Sequence, residues 1–227
     1  MTIYVLILIL LPSIWVAFEI GLVIRDNSRG KGKITIDKST RYFNFIAITI
    51  GITAAAILNG FSKFYFPGGR TNIVFFIGIS IMLIGMALRF WSVFTLGKAF
   101  RTTIEIDKDQ KVVSNGPYKL IRHPSYSGWL LICCGYGIAV QNWLSLLAAV
   151  ILPLVALLYR IRIEEAALAS SFGSEYLEYQ KHTKKLIPWF GNSALPTPAP
   201  NESGLRRNAN PMRCFSGICS VDNMPPQ

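Results

Sequence analysis

Charged residues are scarce in this chain. Asp, Glu, Lys and Arg make up 15% of its 227 residues, whereas a soluble domain carries nearer a quarter. With a mean hydropathy of +0.40, that shortage excludes an ordinary water-soluble core. The ten-residue alternation of an outer-membrane barrel is also missing. Backbone groups in lipid need internal partners, so the membrane-crossing segments are expected to be helices. Histidine occurs twice and cysteine four times. Cys133 and Cys134 are adjacent inside an apolar run, and Cys214 and Cys219 lie near the end. There is no Cys-x-x-Cys, and no His stands at metal-ligand spacing from a Cys, which argues against a zinc site or a disulfide scaffold. No basic segment or small-residue cleavage site accompanies the first apolar run, so it is read as a retained helix. The chain ends without a cysteine box, so it is not itself read as a prenylation substrate. Acidic residues are outnumbered, giving a net charge of +11. No nucleic-acid module accompanies that charge. It is therefore assigned to loops facing anionic lipid, and no nucleic-acid partner is expected.

What is present is a series of apolar runs near the ~20 residues a helix needs to cross a bilayer. Five spans are expected, over about 3–24, 43–61, 73–96, 128–140 and 143–159. The expected fold is an all-α, polytopic transmembrane bundle over residues 1–190, followed by a Pro-, Asn-, Ser- and Gly-rich tail, 191–227, read as disordered. The first loop carries Arg25, Arg29, Lys31, Lys33, Lys38 and Arg41 against Asp26 and Asp37. The positive-inside rule then places this loop, the chemically interesting residues and the C-terminus in the cytoplasm, with the N-terminus outside. Glu19 is read as lying near a helix end and reaching the headgroups. Arg89 either snorkels or points into a polar cavity. Gly78, Ser80, Gly85 and Ala87 allow close helix approach in the third span. Residues 128–140 and 143–159, split by Gln141-Asn142, read as a tight helical hairpin. Leu168, Phe172, Tyr176 and Tyr179 recur at helical spacing on a helix expected to pack along the membrane face.

Between these runs Gln110–Gly128 stands out as polar, punctuated by Gly116-Pro117 and His123-Pro124. Pro124 restricts His123 to an extended conformation and suits the first position of a helix. Free backbone amides at that helix start could receive a carboxylate. A second cluster is Arg160 with Glu164 and Glu165. Arg160 and Glu164 are four apart and share one helix face. That pair alone would be an ordinary helix salt bridge. Its position at the inner end of the last span, where a hairpin returns it to the His123 segment, makes it the second wall of a polar pocket.

Gly116-Pro117-Tyr118, then Arg122-His123-Pro124-Ser125-Tyr126 and Gly128, then Arg160 and Glu164-Glu165, then Phe172-Gly173 and Tyr176-Leu177-Glu178-Tyr179 resemble the isoprenylcysteine carboxyl methyltransferase family. Order and spacing agree from about Gln110 to Pro188. The resemblance implies an integral membrane methyltransferase that uses S-adenosylmethionine. By that resemblance Gln110, Lys111, Val112 and Val113 form a cofactor-contacting strip, with Gln110 standing where eukaryotic members carry histidine. Tyr118, His123, Pro124, Ser125 and Tyr126 match cofactor-binding positions. Glu164 matches an acid holding the cofactor, Glu165 a supporting acid, and Arg160 the residue assigned to the substrate carboxylate. The acceptor implied is a prenylated or otherwise lipophilic small molecule or protein C-terminus, reached from the membrane lipid. No Ser-His-Asp or Cys-His machinery is needed, because a carboxylate is already ionised at pH 7. The alternatives are methylation of a phospholipid amine, thiol or other lipid headgroup, a sterol-type membrane reductase binding a nicotinamide cofactor, or a non-catalytic scaffold.

Overall fold

The computed structural model describes residues 2–28, 34–37, 39–68, 70–106 and 112–187. Among these residues six α-helices carry the fold: α1 (Thr2–Ser28), α2 (Ser39–Leu58), α3 (Asn72–Leu96), α4 (Pro124–Val140), α5 (Trp143–Phe172) and α6 (Ser174–His182). They belong to one compact unit, Met1–Ala194; a second unit, Leu195–Gln227, lies outside the described residues. The expected boundary at 190/191 and the tail also fall outside them.

Four helices, α1, α2, α3 and α5, are long and apolar enough to cross a membrane. The outer faces of α1, α2 and α3 leave Ile14, Ile24, Ile46, Ile57, Ile84 and Phe94 exposed. Apolar side chains so distributed suit lipid rather than water. The fifth expected span is α4. It has 17 residues, about 26 Å of helix, short of the usual crossing length. Most of its side chains are buried, because it packs between α3 and α5. Hydropathy alone could not separate a short helix buried by protein from one bathed in lipid.

α3 and α4 meet through glycines spaced seven apart on both partners. A Cβ at Gly78 would lie 2.4 Å from the Ala139 amide nitrogen, and one at Gly135 would lie 2.5 Å from that of Met82. At the other end of the contact, a Cβ on Gly128 would lie 2.8 Å from the Gly85 carbonyl. Backbone therefore rests on backbone, which brings the start of α4 against Arg89 in α3.

The α4–α5 hairpin forms as expected. Gln141 takes a left-handed φ of 61°, and the Asn142 side chain caps α5 by accepting from the amides of Leu144 and Ser145. α5 continues well beyond 159 and ends at Gly173, whose φ of 56° turns the chain into α6.

One feature had no signal in the sequence. Residues Ile34–Asp37 (β1) and Ile104–Ile106 (β2) pair antiparallel, joining two loops at the same end of the bundle. Each strand is too short to show alternation.

Candidate active site

The site end of the molecule is organised by a clasp. Residues after α6 run back beside the segment before α4. The Arg122 amide donates to the Lys184 carbonyl (2.7 Å) and the His123 amide to that of Lys185 (3.1 Å). The Ser127 hydroxyl donates to the Leu186 carbonyl (2.5 Å). Arg122 tightens this clasp through Nη1, which donates to the carbonyls of Gln180 (3.0 Å) and Thr183 (2.5 Å). Its Nε donates to Glu165 Oε1 at 2.9 Å. His123 Nε2 lies 3.3 Å from the same oxygen, and Lys185 Nζ lies 3.0 Å from Oε2. Glu165 is fully buried, so three cationic or polar groups converge on one sequestered carboxylate.

α4 starts at Pro124, as the sequence predicts, but His123, at φ −121° and ψ 55°, is not in the extended conformation expected of it. The free amides expected there are mostly taken. Those of Arg122 and His123 go to the clasp, and those of Tyr126 and Ser127 go to the His123 carbonyl. The clasp was invisible in sequence because its acceptors are backbone carbonyls about 60 residues away from their donors.

A cavity of about 130 Å³ lies beside the clasp. Val112, Val113, Tyr118, His123, Ser125, Tyr126 and Glu164 all line it. Pro124 is fully buried and, like Glu165, is not in its wall. Gln110 and Lys111 lie outside the described residues. The wall also contains Leu96, Phe100, Arg101 and Ile104 from the end of α3 and the segment after it, which the sequence reading passed over, and Leu168, Phe172, Tyr176 and Tyr179 from α5 and α6, which it did not assign to the site. The last four were visible as a helical stripe, but they face this cavity rather than packing along a membrane face. The Tyr179 hydroxyl donates to the Tyr118 carbonyl at 2.7 Å. Burial pushes the Tyr179 phenol up to about 12 and raises Tyr118 as well, so both stay neutral at ordinary pH.

Tyr126 joins this cavity to a second chamber. Its hydroxyl donates to Glu164 Oε2 at 2.7 Å and accepts from Arg160 Nε at 2.8 Å. Arg160 and Glu164 thus share a face as expected, bridged by a phenol from α4. Arg160 lines the second chamber, together with Arg41, Arg89, Arg101, Thr102 and Glu19. Its Nη1 donates to Thr40 Oγ1 (3.2 Å) and its Nη2 to the Thr102 carbonyl (2.7 Å). Glu19 does not reach for headgroups. It is 3% exposed and accepts from Arg89 Nε (3.0 Å), Arg89 Nη2 (3.1 Å) and Trp129 Nε1 (2.9 Å). A buried acid at this depth persists because a guanidinium meets both its oxygens. Arg89 therefore points inward, where its Nη1 also donates to Ser125 Oγ. Beyond Glu19 and Trp129 the chamber meets an apolar slot of about 250 Å³ lined by Trp15, Val16, Phe45, Ile48, Ile52, Met82 and Tyr136.

Fold and cavities together define an integral membrane protein, a helical bundle with a polar site at one end and an apolar slot leading away from it. Residues 77–170 match the model of the isoprenylcysteine carboxyl methyltransferase (ICMT) family. The match starts within α3, well ahead of Gln110, and stops before α6. Protein-S-isoprenylcysteine O-methyltransferase B of Arabidopsis thaliana is 30% identical over 128 residues, covering 55% of this chain and 65% of the relative. Protein-S-isoprenylcysteine O-methyltransferase of Tribolium castaneum is 33% identical over 129 residues, covering 56% and 46%. A solved structure of the eukaryotic intramembrane Ras methyltransferase ICMT aligns with a TM-score of 0.55 at 30% identity, over 68% of this chain and 54% of that one. The chain thus spans about half to two thirds of the length of these relatives.

Proposed function

We propose that this protein transfers a methyl group from S-adenosylmethionine to the carboxylate of a lipophilic acceptor, best an S-isoprenylcysteine presented by a small molecule or a protein C-terminus. The observation that carries this reading is the line Glu164–Tyr126–Arg160. It puts an acid on the wall of one cavity and a guanidinium on the wall of another, linked by a single phenol. The names of the relatives agree with that reading.

The first cavity fits the methyl donor. Glu164 spends one oxygen on Tyr126, which leaves the other for an ammonium or a ribose hydroxyl. Arg122 Nη2 is buried without a hydrogen-bond partner among the described residues, and Arg122 and Tyr176 both line the cavity. A zwitterion with a carboxylate would satisfy such a donor. Phe100, Phe172 and Tyr179 add aromatic surface for a nucleobase. When bound, the donor supplies an activated methyl on a sulfonium whose sulfur keeps the electron pair of the broken bond, so a carboxylate becomes a neutral ester and no proton moves. The chain therefore needs no general base, since the acceptor is already ionised. Its contribution is placement, for which about 7–11 kcal/mol of barrier is available in favourable cases. Arg160 orients the carboxylate through its planar fork, and the apolar slot takes the lipid part. An ammonium acceptor would face the guanidiniums of Arg41, Arg89, Arg101 and Arg160 in the chamber and be repelled.

By the positive-inside rule, the basic residues between α1 and α2 support a cytoplasmic site end and C-terminus and an outer N-terminus. A soluble donor then enters from the cytosol and the acceptor from lipid. Isothermal titration of the purified protein tests the cofactor. S-adenosylmethionine is expected to bind once per chain and reduced nicotinamide cofactor not to bind; the reverse pattern would overturn the reading.

A further inference from the structure

The chamber holds a second guanidinium with a peculiarity. Arg41, in the first turn of α2, is 9% exposed. Its Nη1 donates to Thr102 Oγ1 at 3.1 Å and its Nη2 to the Tyr42 hydroxyl at 3.0 Å, and its guanidinium lies 4.9 Å over the Tyr42 ring. Among the described residues all these partners are neutral. The chamber's other charges are accounted for differently. Glu19, the one acid among the described residues of its wall, is held at both oxygens by Arg89. Arg101 pairs with Asp26 at 3.2 Å. Arg41 reaches its nearest described anion, Asp26, only through the Thr102 hydroxyl, and Asp26 is already paired with Arg101; a buried cation without a directly paired anion is unfavourable, so the chamber is suited to a further negative group.

The position of Arg41 says where that group sits. Thr102 holds both arginines, Arg41 at its hydroxyl and Arg160 at its carbonyl. The Thr102 hydroxyl in turn donates to Asp26 Oδ2 at 2.5 Å, and its amide donates to the same oxygen at 2.9 Å. Thr102 is thereby fixed, and with it the spacing of the two guanidiniums. They enter from different elements, α2 and α5, and both line the small chamber between the two larger cavities.

We propose that Arg41 is a second positioning residue for the acceptor carboxylate, forming with Arg160 a two-arginine clamp set by Thr102. This rests on the carboxylate-acceptor reading above. Arg41 lies outside residues 77–170, so the family match does not reach it. The clamp has a consequence for turnover. A carboxylate neutralises Arg41, whereas its methyl ester does not, so the product is held less firmly than the substrate. Arg41 thus favours the acid going in and releases the ester coming out.

The test compares S-farnesylcysteine with its carboxamide, as ligands of wild-type protein and of Arg41→Gln and Arg41→Lys, with S-adenosylmethionine affinity measured alongside. Wild type is expected to bind the acid at least about tenfold better than the amide, the scale of a charge-assisted hydrogen bond. Arg41→Gln should lose most of that preference while binding the amide and S-adenosylmethionine as before. Arg41→Lys should keep part of it. If wild type prefers the acid and Arg41→Gln retains the full preference, Arg41 has no such role and the carboxylate reading stands. If Arg41→Gln weakens acid, amide and donor alike, Arg41 is a structural residue and the clamp is rejected. If wild type shows no preference, the carboxylate reading falls and the clamp with it.

Discussion

Replacing Glu164 by Gln is expected to weaken S-adenosylmethionine binding by about 10–100-fold, the range expected when a charge-assisted hydrogen bond becomes a neutral one. The fold should survive. Glu164 is half-buried on a cavity wall, and its partner is one phenol, Tyr126. A Gln can still accept from that phenol. The loss should therefore appear in donor titrations, with the thermal midpoint of the unliganded protein little changed. A variant that binds the donor as wild type does would remove Glu164 from the proposed cofactor site.

The neighbouring acid should behave in the opposite way. Glu165→Ala is expected to destabilise the protein by about 3–5 kcal/mol, as removal of one partner from a buried charge cluster does. Consecutive helix residues point about 100° apart, so Glu164 faces the cavity while Glu165 turns into the clasp. Removing the Glu165 carboxylate strands Arg122, His123 and Lys185 around a sealed space. Arg122 would then hold the residues after α6 without its counter-charge. The measurement is thermal unfolding in detergent, with loss of donor binding expected only as a consequence of the loosened clasp. A stable Glu165→Ala protein with selectively lost donor binding would contradict this division of roles.

These two acids also mark what could be read from sequence. Both stood out as a pair beside Arg160, but side by side in a string they carry no direction. The resemblance assigned both to the cofactor, whereas the structure puts Glu164 in the cavity wall and Glu165 beneath it. Helix existence was legible because lipid imposes long apolar runs, and the hairpin was legible from Gln141-Asn142. α4 was legible as a short helix but not as one enclosed by protein. Glu19 was misread because its partners, Arg89 and Trp129, are 70 and 110 residues away. The aromatic stripe Leu168–Phe172–Tyr176–Tyr179 was seen, yet a stripe does not say whether lipid or a cavity lies opposite. Thr102, which holds both Arg41 and Arg160, is one of two adjacent threonines in an unremarkable segment, and nothing in the sequence sets it apart from Thr103.

Methyl transfer itself tests the central claim most directly. Purified protein in lipid vesicles is given S-adenosylmethionine labelled in its methyl group, together with S-farnesylcysteine or an amine phospholipid. The account predicts label in a base-labile ester of S-farnesylcysteine, lost when Arg160 is replaced by Ala, and no label in the amine lipid. Label in the amine lipid, or no label in either acceptor from a protein that binds the donor, would contradict it.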